Sequence, residues 1–376
     1  MRQSIRIGTF AGVDVGVNWS VLVIFALLAW ELAELVFPGS YAGTRAGYWA
    51  AGIVTAIVFF LSLLAHEVSH AVVARRNGVG VRSITLWLFG GVAQLQGEAH
   101  TAGADFRIAA VGPATSIGLA VVFGAAQLAA GTAGAHGLVV GALSWLWKIN
   151  LLLAAFNLVP AAPLDGGRIL RAGLWRAWGD RTRASVAAAR AGRVFGIVLI
   201  GLGVVGFAYG TLAGLWPAVL GWFLYTAAGG EEQMARVRGG VSHLVVGQVM
   251  TPHPPALPAR STVAELVAGH LWHFRGEAVA VTDDQGWLAG IVGVAAVRAV
   301  PEDRRPWTPL SALAVPLTSL AVGRPEEPMD ALLERMTQAD APAALVLDAD
   351  NRLAGIVTTA DLERVASFGH LHPTSV

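Results

Sequence analysis

The chain has 376 residues, of which 55% are hydrophobic and only 14% are charged. Soluble domains carry about a quarter of charged residues, so a purely soluble protein is excluded. The net charge of +1 and the lack of a basic patch interleaved with aromatic residues argue against a nucleic-acid partner. There is no cysteine, which excludes disulfides and thiolate metal sites, so any zinc site must use His, Asp or Glu.

Residues 1–230 hold most of the long apolar runs and predict a mainly α-helical polytopic membrane domain with six transmembrane helices and surface β-hairpins. The predicted spans are Trp19–Phe37, Gly47–Val73, Phe106–Ala130, Leu138–Val159, Val194–Gly210 and Leu212–Ala228. The N-terminus is basic, but the apolar run behind it is long and lacks a cleavage signal. The first span is therefore predicted to be a retained helix, not a signal peptide.

Three further segments have a different character. Ser4–Val17 alternates apolar and polar residues and predicts a hairpin at the membrane surface. Val79–Gln96 is rich in β-branched and aromatic residues around a Phe-Gly-Gly turn, which predicts a second hairpin. Arg168–Gly179 combines arginine and tryptophan and predicts an amphipathic segment.

The arginines lie almost entirely on one side of the predicted spans. The loops after the first, third and fifth spans contain only Arg45. The segments after the second, fourth and sixth spans contain Arg75, Arg76, Arg82, Arg168, Arg171, Arg176, Arg181, Arg183, Arg190, Arg193, Arg236 and Arg238. The positive-inside rule therefore predicts a multi-pass protein of the cytoplasmic (inner) membrane with both termini in the cytoplasm.

A metal-binding pattern lies near the inner end of the second span. His66 and His70 are four residues apart, so on a helix they face the same way and can hold one metal ion. Glu67 is one residue from His66 and can reach a water on that metal. The alternative is a pair of histidines hydrogen-bonded in a bundle core, but that interpretation leaves Glu67 unexplained.

A catalytic zinc site needs a third protein ligand, and Asp165 is the best candidate. It follows the end of the fourth span in the segment Asn-Leu-Val-Pro-Ala-Ala-Pro-Leu-Asp-Gly-Gly, where prolines end the helix and glycines allow the backbone to approach closely. Asp165 can also be a helix N-cap, and the two roles are compatible. Asn157 and Asn150 share one face of the fourth span. They predict either a contact to substrate or to a developing oxyanion, or simple interhelical hydrogen bonds.

The segment 247–376 contains an internal repeat. Ala278–Val292 aligns without gaps on Ala343–Val357, an offset of 65 residues, and each copy reads as strand, acidic turn, strand and helix. Amphipathic helices precede the copies at Val263–Leu271 and Met329–Met336. Each copy is too short to be stable alone, so the two are predicted to pack as a pseudo-twofold α/β pair behind a linker at 231–246.

These motifs resemble known families. His-Glu-Val-Ser-His in a transmembrane helix, Phe-Gly-Gly in a hairpin, Gly-Pro-Ala-Thr-Ser ending at Ser116 and the segment ending Leu-Asp-Gly-Gly resemble the site-2 protease family of intramembrane zinc metalloproteases. The resemblance implies His66, His70 and Asp165 as ligands of one zinc ion, Glu67 as general base and Asn157 as a substrate or oxyanion contact. Family members often have Asn at the position of Ser116.

The repeat resembles a tandem cystathionine-β-synthase (CBS) pair. The second copy has the Gly-x-x-Thr-x-x-Asp signature that implies phosphate binding by Thr358 and ribose binding by Asp361, whereas the first copy has Gly293 and Ala296 there. Either an adenine nucleotide (ATP or AMP) at the second copy or a purely structural module that pairs two chains fits these residues.

The sequence therefore predicts an intramembrane zinc endopeptidase in the lipid bilayer with a cytosolic regulatory CBS pair. Its substrate is expected to be a single-pass membrane protein, for example an anti-sigma-factor-like protein, cut within or near its membrane segment. A CBS-gated metal or cation transporter and a catalytically silent membrane scaffold are the alternatives. Transporters tend to repeat their polar motifs in both halves, whereas the metal-type residues occur once here.

Overall fold

The computed structural model describes residues 5–10, 13–87, 90–97, 99–134, 137–211, 214–241, 244–254, 256–269, 278–285, 287–339, 341, 343–350 and 352–368. They form two compact units, Met1–Glu232 and Gln233–Val376. The predicted hairpin start at Ser4, the turn residue Phe89, the span start at Leu212 and the helix end at Leu271 lie outside the described residues.

Helices dominate the first unit. They are α1 (Ser20–Glu31), continued by a π-helical turn over Leu32–Val36, α2 (Arg45–Arg76), α3 (Ala102–Thr132), α4 (Leu138–Asn157), α5 (Asp165–Trp178), α6 (Arg181–Ala208) and the greater part of α7 (Leu215–Val241), whose last residues belong to the second unit. Among the described residues, α2, α3, α4 and α6 are long and apolar enough to cross a membrane. The helix α1 is short and α7 carries Glu231 and Glu232, so a count of six crossings stays a prediction.

Side-chain caps set several of these boundaries. The hydroxyl of Thr44 accepts a hydrogen bond from the Gly47 N–H at 3.2 Å and begins α2. The Asp180 carboxylate accepts from the Arg183 N–H at 2.9 Å, directly after Gly179 ends α5 in the left-handed region. This cap starts α6 at Arg181, so the predicted span from Val194 lies within a longer helix.

Long apolar side chains cover the outside of the membrane-capable helices. Leu61 on α2, Val121 and Leu128 on α3, and Leu202 on α6 are all more than half exposed. A soluble surface would not present such a continuous apolar face, whereas the hydrocarbon of a bilayer covers it favourably. The buried positions of the same helices are mostly small residues, which allow close helix packing in a membrane.

Both predicted hairpins form, and they join into one four-stranded sheet. Its strands are β1 (Ile5–Phe10), β2 (Val13–Val17), β3 (Gly80–Trp87) and β4 (Gly90–Gln96), in the order β1-β2-β3-β4. The β2–β3 pair is parallel and the other two pairs are antiparallel. Strand β4 therefore lies at the edge of the sheet, immediately before α3.

The second unit contains two four-stranded sheets. Its strands are β5 (Thr251–Pro252), β6 (Ala256–Pro258), β7 (Ala278–Thr282), β8 (Leu288–Gly293), β9 (Val315–Pro316), β10 (Ala321–Gly323), β11 (Ala343–Leu347) and β12 (Leu353–Thr358). Its helices are α8 (Val246–Val249), α9 (Val263–Gly269), α10 (Val294–Arg298), α11 (Met329–Ala339) and α12 (Thr359–Phe368). The sheet orders are β6-β7-β8-β9 and β10-β11-β12-β5, so a strand that precedes each copy completes the sheet of the other copy.

The two copies pack against each other through equivalent positions. Ala278, Ala280 and Ile291 of the first copy share a buried cluster with the second copy's Ala343, Leu345 and Ile356, each pair 65 residues apart. The prediction of a strand–turn–strand–helix unit in each copy is confirmed by the structure.

Candidate active site

Three side chains from two helices converge inside the first unit. His66 and His70 lie one turn apart on α2 and are 2% and 6% exposed. Their Nε2 atoms are 3.2 Å apart, and each lies 3.2 Å from Oδ2 of Asp165, the first residue of α5. The sequence argument that the histidine pair and Asp165 meet thus agrees with the geometry.

The neighbouring helix α3 orients both imidazole rings. The Nδ1 atom of His70 donates to the backbone carbonyl of Ile108 at 2.6 Å, and Nδ1 of His66 lies 2.9 Å from Oγ of Ser116. With the proton on Nδ1, the Nε2 atom of each ring carries a free electron pair. Gly112 lies between these two contacts, where a Cβ would come within 2.1 Å of the His70 Nε2 atom. Glycine therefore lets the α3 backbone approach the two rings.

The donor set fits a zinc ion. Two imidazole nitrogens and one carboxylate oxygen form a triangle with edges of 3.2 Å. Neighbouring ligand atoms around tetrahedral zinc are about 3.3 Å apart when the ligand distances are about 2.0–2.1 Å. Electron-pair donors this close repel one another unless a proton or a cation lies among them. Three protein ligands would also leave a fourth position free, as catalytic zinc sites require.

Close packing of backbone on backbone positions Asp165. A Cβ on Gly166 would lie 2.2 Å from the Val159 carbonyl oxygen, and one on Gly167 would lie 2.2 Å from the Ala162 nitrogen. On the other side, a Cβ on Gly192 of α6 would lie 1.9 Å from the Ala162 carbonyl oxygen. The loop between α4 and α5 is thus held between α5 and α6, and it directs Asp165 towards α2.

Asp165 lies inside helix α5, whose N-cap position is Leu164, without a side-chain capping bond. The alternative interpretation of Asp165 as the helix N-cap is therefore wrong.

Glu67 lies beneath the edge strand of the sheet. The backbone N–H of Gly91 in β4 donates a hydrogen bond to the Glu67 carboxylate. A Cβ on Gly91 would lie 2.2 Å from Cγ of Glu67, so the strand reaches the carboxylate only because this residue is glycine. Glu67 is thus fixed beside the His66–His70–Asp165 group, and β4 passes directly over it.

The two asparagines of α4 make hydrogen bonds within their own helix. The amide of Asn157 donates to the Leu153 carbonyl at 3.1 Å, and the amide of Asn150 donates to the Leu146 carbonyl at 2.9 Å. The Oδ1 atom of Asn150 is buried and has no hydrogen-bond partner among the described residues. No hydrogen bond in the described part of the chain joins Asn157 to Asp165 or to either histidine, so its catalytic role stays a prediction.

Comparison with known proteins agrees with this geometry. The model of peptidase family M50 matches residues 54–134 and 124–200, and the CBS domain model matches residues 315–367. Rip3 of Mycobacterium tuberculosis, named as a zinc metalloprotease, is 44% identical over 367 residues, which cover 97% of this chain and 93% of Rip3. The chain belongs to peptidase family M50. It is therefore a membrane-embedded zinc metalloprotease of the site-2 protease type with a C-terminal CBS region.

Two further proteins are similar to this chain. A zinc metalloprotease of Synechocystis is 29% identical over 96% of this chain and 95% of its own length. The solved structure of a site-2 protease from Methanocaldococcus jannaschii is similar at 24% identity with a TM-score of 0.43, covering 61% of this chain and 94% of that one.

The predicted nucleotide residues of the CBS region contact each other. The backbone N–H and the hydroxyl of Thr358 both donate to Oδ2 of Asp361, at 2.9 Å and 2.7 Å. The other carboxylate oxygen of Asp361 accepts from Thr251 at 3.0 Å and from Arg364 at 2.6 Å. Asp361 is 1% exposed. The two side chains therefore close the first turn of α12 as a capping arrangement.

Several contributors to the site lie far from the motif in sequence. Ser116 stood out only as a departure from the family pattern, and the carbonyl of Ile108 gave no signal. Gly91 and Gly112 lie in the Phe-Gly-Gly and Gly-Pro-Ala-Thr-Ser motifs, but the sequence did not indicate that they contact Glu67 and the two histidines. Asp105 was a signal that could have been used. It is a charged residue directly before the predicted span Phe106–Ala130, and in the structure it is fully buried.

Proposed function

We propose that this M50 peptidase hydrolyses a peptide bond within or near the transmembrane segment of a single-pass membrane protein. In this proposal His66, His70 and Asp165 hold the zinc ion and Glu67 is the general base. The observation that carries the proposal is the 3.2 Å triangle of ligand-type atoms, with Glu67 beside it under an edge strand.

The chemistry follows from these positions. Bound zinc supplies Lewis-acid activation of water and of the scissile carbonyl. Glu67 accepts a proton from the water as its oxygen bonds to the carbonyl carbon, and then passes that proton to the amide nitrogen as the carbon–nitrogen bond breaks. Asn157 supplies an amide donor to the developing oxyanion after its side chain turns away from the Leu153 carbonyl. An Asn157→Ala variant should lose about 10²–10³-fold in kcat.

A Glu67→Gln variant tests the central assignment. It should fold, retain one zinc per chain and lose cleavage of a single-pass model substrate, because glutamine cannot accept the proton. An Asp165→Asn variant should lose both cleavage and zinc. The assay is zinc analysis of purified protein together with mass spectrometry of the cleavage products in proteoliposomes. If Glu67→Gln cleaves at the wild-type rate, the proposed base is wrong. Metal flux retained by that variant would favour a transporter.

We also infer that the substrate adds a strand to the free edge of β4. A transmembrane helix is a poor substrate because its carbonyls are hydrogen-bonded, so it must unwind before attack. Among the described residues, β4 pairs only with β3, and it passes over Glu67. A chain that pairs with β4 would be held extended next to the general base.

Proline substitutions at alternate β4 positions test this step. In an antiparallel edge strand, alternate N–H groups point towards the partner strand and towards the free edge. Val92→Pro with Gln94→Pro forms one set, and Ala93→Pro with Leu95→Pro forms the other. One set should destabilise the sheet, and the other should slow cleavage without lowering the melting temperature. Unchanged cleavage by the set that keeps the wild-type melting temperature would rule out the edge.

For the CBS region, we infer an adenine-nucleotide site at the end of β12. The hydroxyl of Thr358 at the start of α12 suits a phosphate, and Asp361 suits a ribose diol. The guanidinium of Arg364 is half exposed beside Asp361 and offers a positive charge to a phosphate. Binding would require Asp361 to exchange its present partners for the ribose. Calorimetric titration of the full chain with ATP and AMP should show binding. The Asp361→Asn variant should have a dissociation constant at least tenfold higher than that of the wild type. Absence of binding to the wild type would favour the structural dimer module.

We further propose that both termini and the CBS region face the cytoplasm. The arginine distribution supports this orientation, since Arg45 alone lies in the predicted outer loops. A reporter enzyme that is active only outside the cytoplasm should be active when it is fused to the loops after α3 and α6. The same reporter should be inactive when it is fused at residue 241. The opposite pattern would overturn the orientation.

A further inference from the structure

A buried carboxylate that the proposed chemistry does not use lies in the first turn of α3. Asp105 is fully buried, and Arg171 of α5 donates to both of its oxygens, from Nε at 2.8 Å and from Nη2 at 2.7 Å. The guanidinium of a second arginine is also close: Nη2 of Arg168 lies 3.7 Å from Oδ1 of Asp105. An unpaired charge would be costly at this depth, so the pair forms one unit.

This ion pair lies on the helix face that builds the site. Asp105, Ile108, Gly112 and Ser116 are spaced by three, four and four residues, which places them along one face of α3. The last three contact the two histidines. One end of this face of α3 therefore binds α5 through the Asp105–Arg171 ion pair, and the rest of the face contacts the two histidines.

The distances along the two helices match. From Asp105 to Gly112 the rise is about 10.5 Å, and from Arg171 to Asp165 it is about 9 Å, at 1.5 Å per residue. Arg171 contacts Asp105, and Asp165 contacts the rings that contact Gly112. Helices α3 and α5 thus run antiparallel along this contact, with the ion pair at one end and the proposed metal ligands at the other.

We propose that Asp105 and Arg171 are positioning residues, which fix the register of α5 against α3 so that Asp165 meets the two histidines. This inference rests on the proposed role of Asp165 as a ligand. A bidentate guanidinium–carboxylate pair defines both the position and the rotation of its helix. A slip of one residue would move α5 by about 1.5 Å and about 100°. Metal sites tolerate only about 0.2 Å in ligand distance.

Zinc affinity of the purified full chain, measured by competition with a chelator, tests the proposal. Asp105→Asn and Arg171→Gln should weaken zinc binding about tenfold or more, the size of effect seen when groups supporting a metal ligand are removed. Arg171→Lys keeps the positive charge but cannot make the bidentate contact of a guanidinium, so it should also weaken zinc binding. Arg176→Gln is the matched control, because it removes an exposed arginine from the same helix. It should bind zinc as the wild type does.

A double variant separates positioning from mere stability. Asp105→Leu with Arg171→Met removes both members of the ion pair, so neither charge is left without its partner and the melting temperature should exceed that of either neutralised single variant. The zinc affinity of the double variant should be as low as that of the single variants, because the bidentate Asp105–Arg171 contact that sets the register is absent. Wild-type affinity in the double variant or in Arg171→Lys would overturn the proposal.

The same measurements distinguish a failure of the proposed site. If the wild type binds no zinc, or if Asp165→Asn binds as tightly as the wild type, Asp165 is not a ligand and both proposals fall. If Asp165→Asn loses zinc while the Asp105 and Arg171 variants keep wild-type affinity, only the positioning role falls.

Discussion

A single methyl group at Gly112 should remove the metal site. In a Gly112→Ala variant the new Cβ would lie 2.1 Å from Nε2 of His70 and 2.6 Å from Nε2 of His66. Ordinary contact begins near 3.4 Å, so the His70 ring or the α3 backbone must retreat by about 1.3 Å, against a tolerance of about 0.2 Å for metal ligands. We expect zinc binding to weaken at least about 100-fold, or roughly 2.8 kcal/mol at 1.4 kcal/mol per tenfold.

The matched control is Gly118→Ala on the same helix, where an added Cβ meets nothing within 4 Å. Zinc affinity is measured by chelator competition, and the fold is followed by circular dichroism and by the melting temperature of the zinc-free protein. Cleavage of a single-pass substrate in proteoliposomes gives a second readout. If Gly112→Ala retains wild-type zinc affinity, the backbone of α3 does not pack against a metal-binding pair of imidazoles, and the proposed convergence of α2, α3 and Asp165 on one ion is wrong.

Three other changes have defined outcomes. Ser116→Ala removes the hydroxyl beside Nδ1 of His66 and should weaken zinc binding about tenfold, in the same competition assay. Gly192→Ala places a Cβ 1.9 Å from a carbonyl of the loop before Asp165 and should lower zinc occupancy, whereas Gly201→Ala on the same helix meets nothing and should not. Ile356→Ala opens the cluster between the CBS copies and should cost about 2–5 kcal/mol of unfolding free energy in that unit, measured by denaturant titration. Equal behaviour of each variant and the wild type would contradict the corresponding contact.

Local sequence patterns predicted the chemistry better than they predicted its supports. The i, i+4 spacing of His66 and His70 and the proline and glycine break before Asp165 are local signals, and the structure brings all three side chains together. The groups that orient them, Ser116 and the Ile108 carbonyl, are 50 and 38 residues away from their partners. Such pairings depend on how helices pack, which periodicity does not specify.

The fold shows the same division. Hydropathy located the apolar part of α6, but it gave no sign of the Arg-rich turns before it that the Asp180 cap begins. The repeat offset of 65 predicted which residues of the two CBS copies would occupy equivalent places. It did not predict which strand would complete which sheet, because short strands such as β5 and β9 carry almost no pattern.

The exchange of those short strands limits how the C-terminal unit can be divided. Val246 and Val249 of α8 lie in the hydrophobic core of the second copy, and β5 at Thr251–Pro252 closes its sheet, although both precede the first copy in the chain. In the same way, β9 at Val315–Pro316 closes the sheet of the first copy. Neither repeat is thus an autonomous folding piece: a fragment of residues 315–367 would expose an open strand edge and an incomplete interior. Half of this module, expressed alone, should be recovered only by borrowing the missing strand from another molecule.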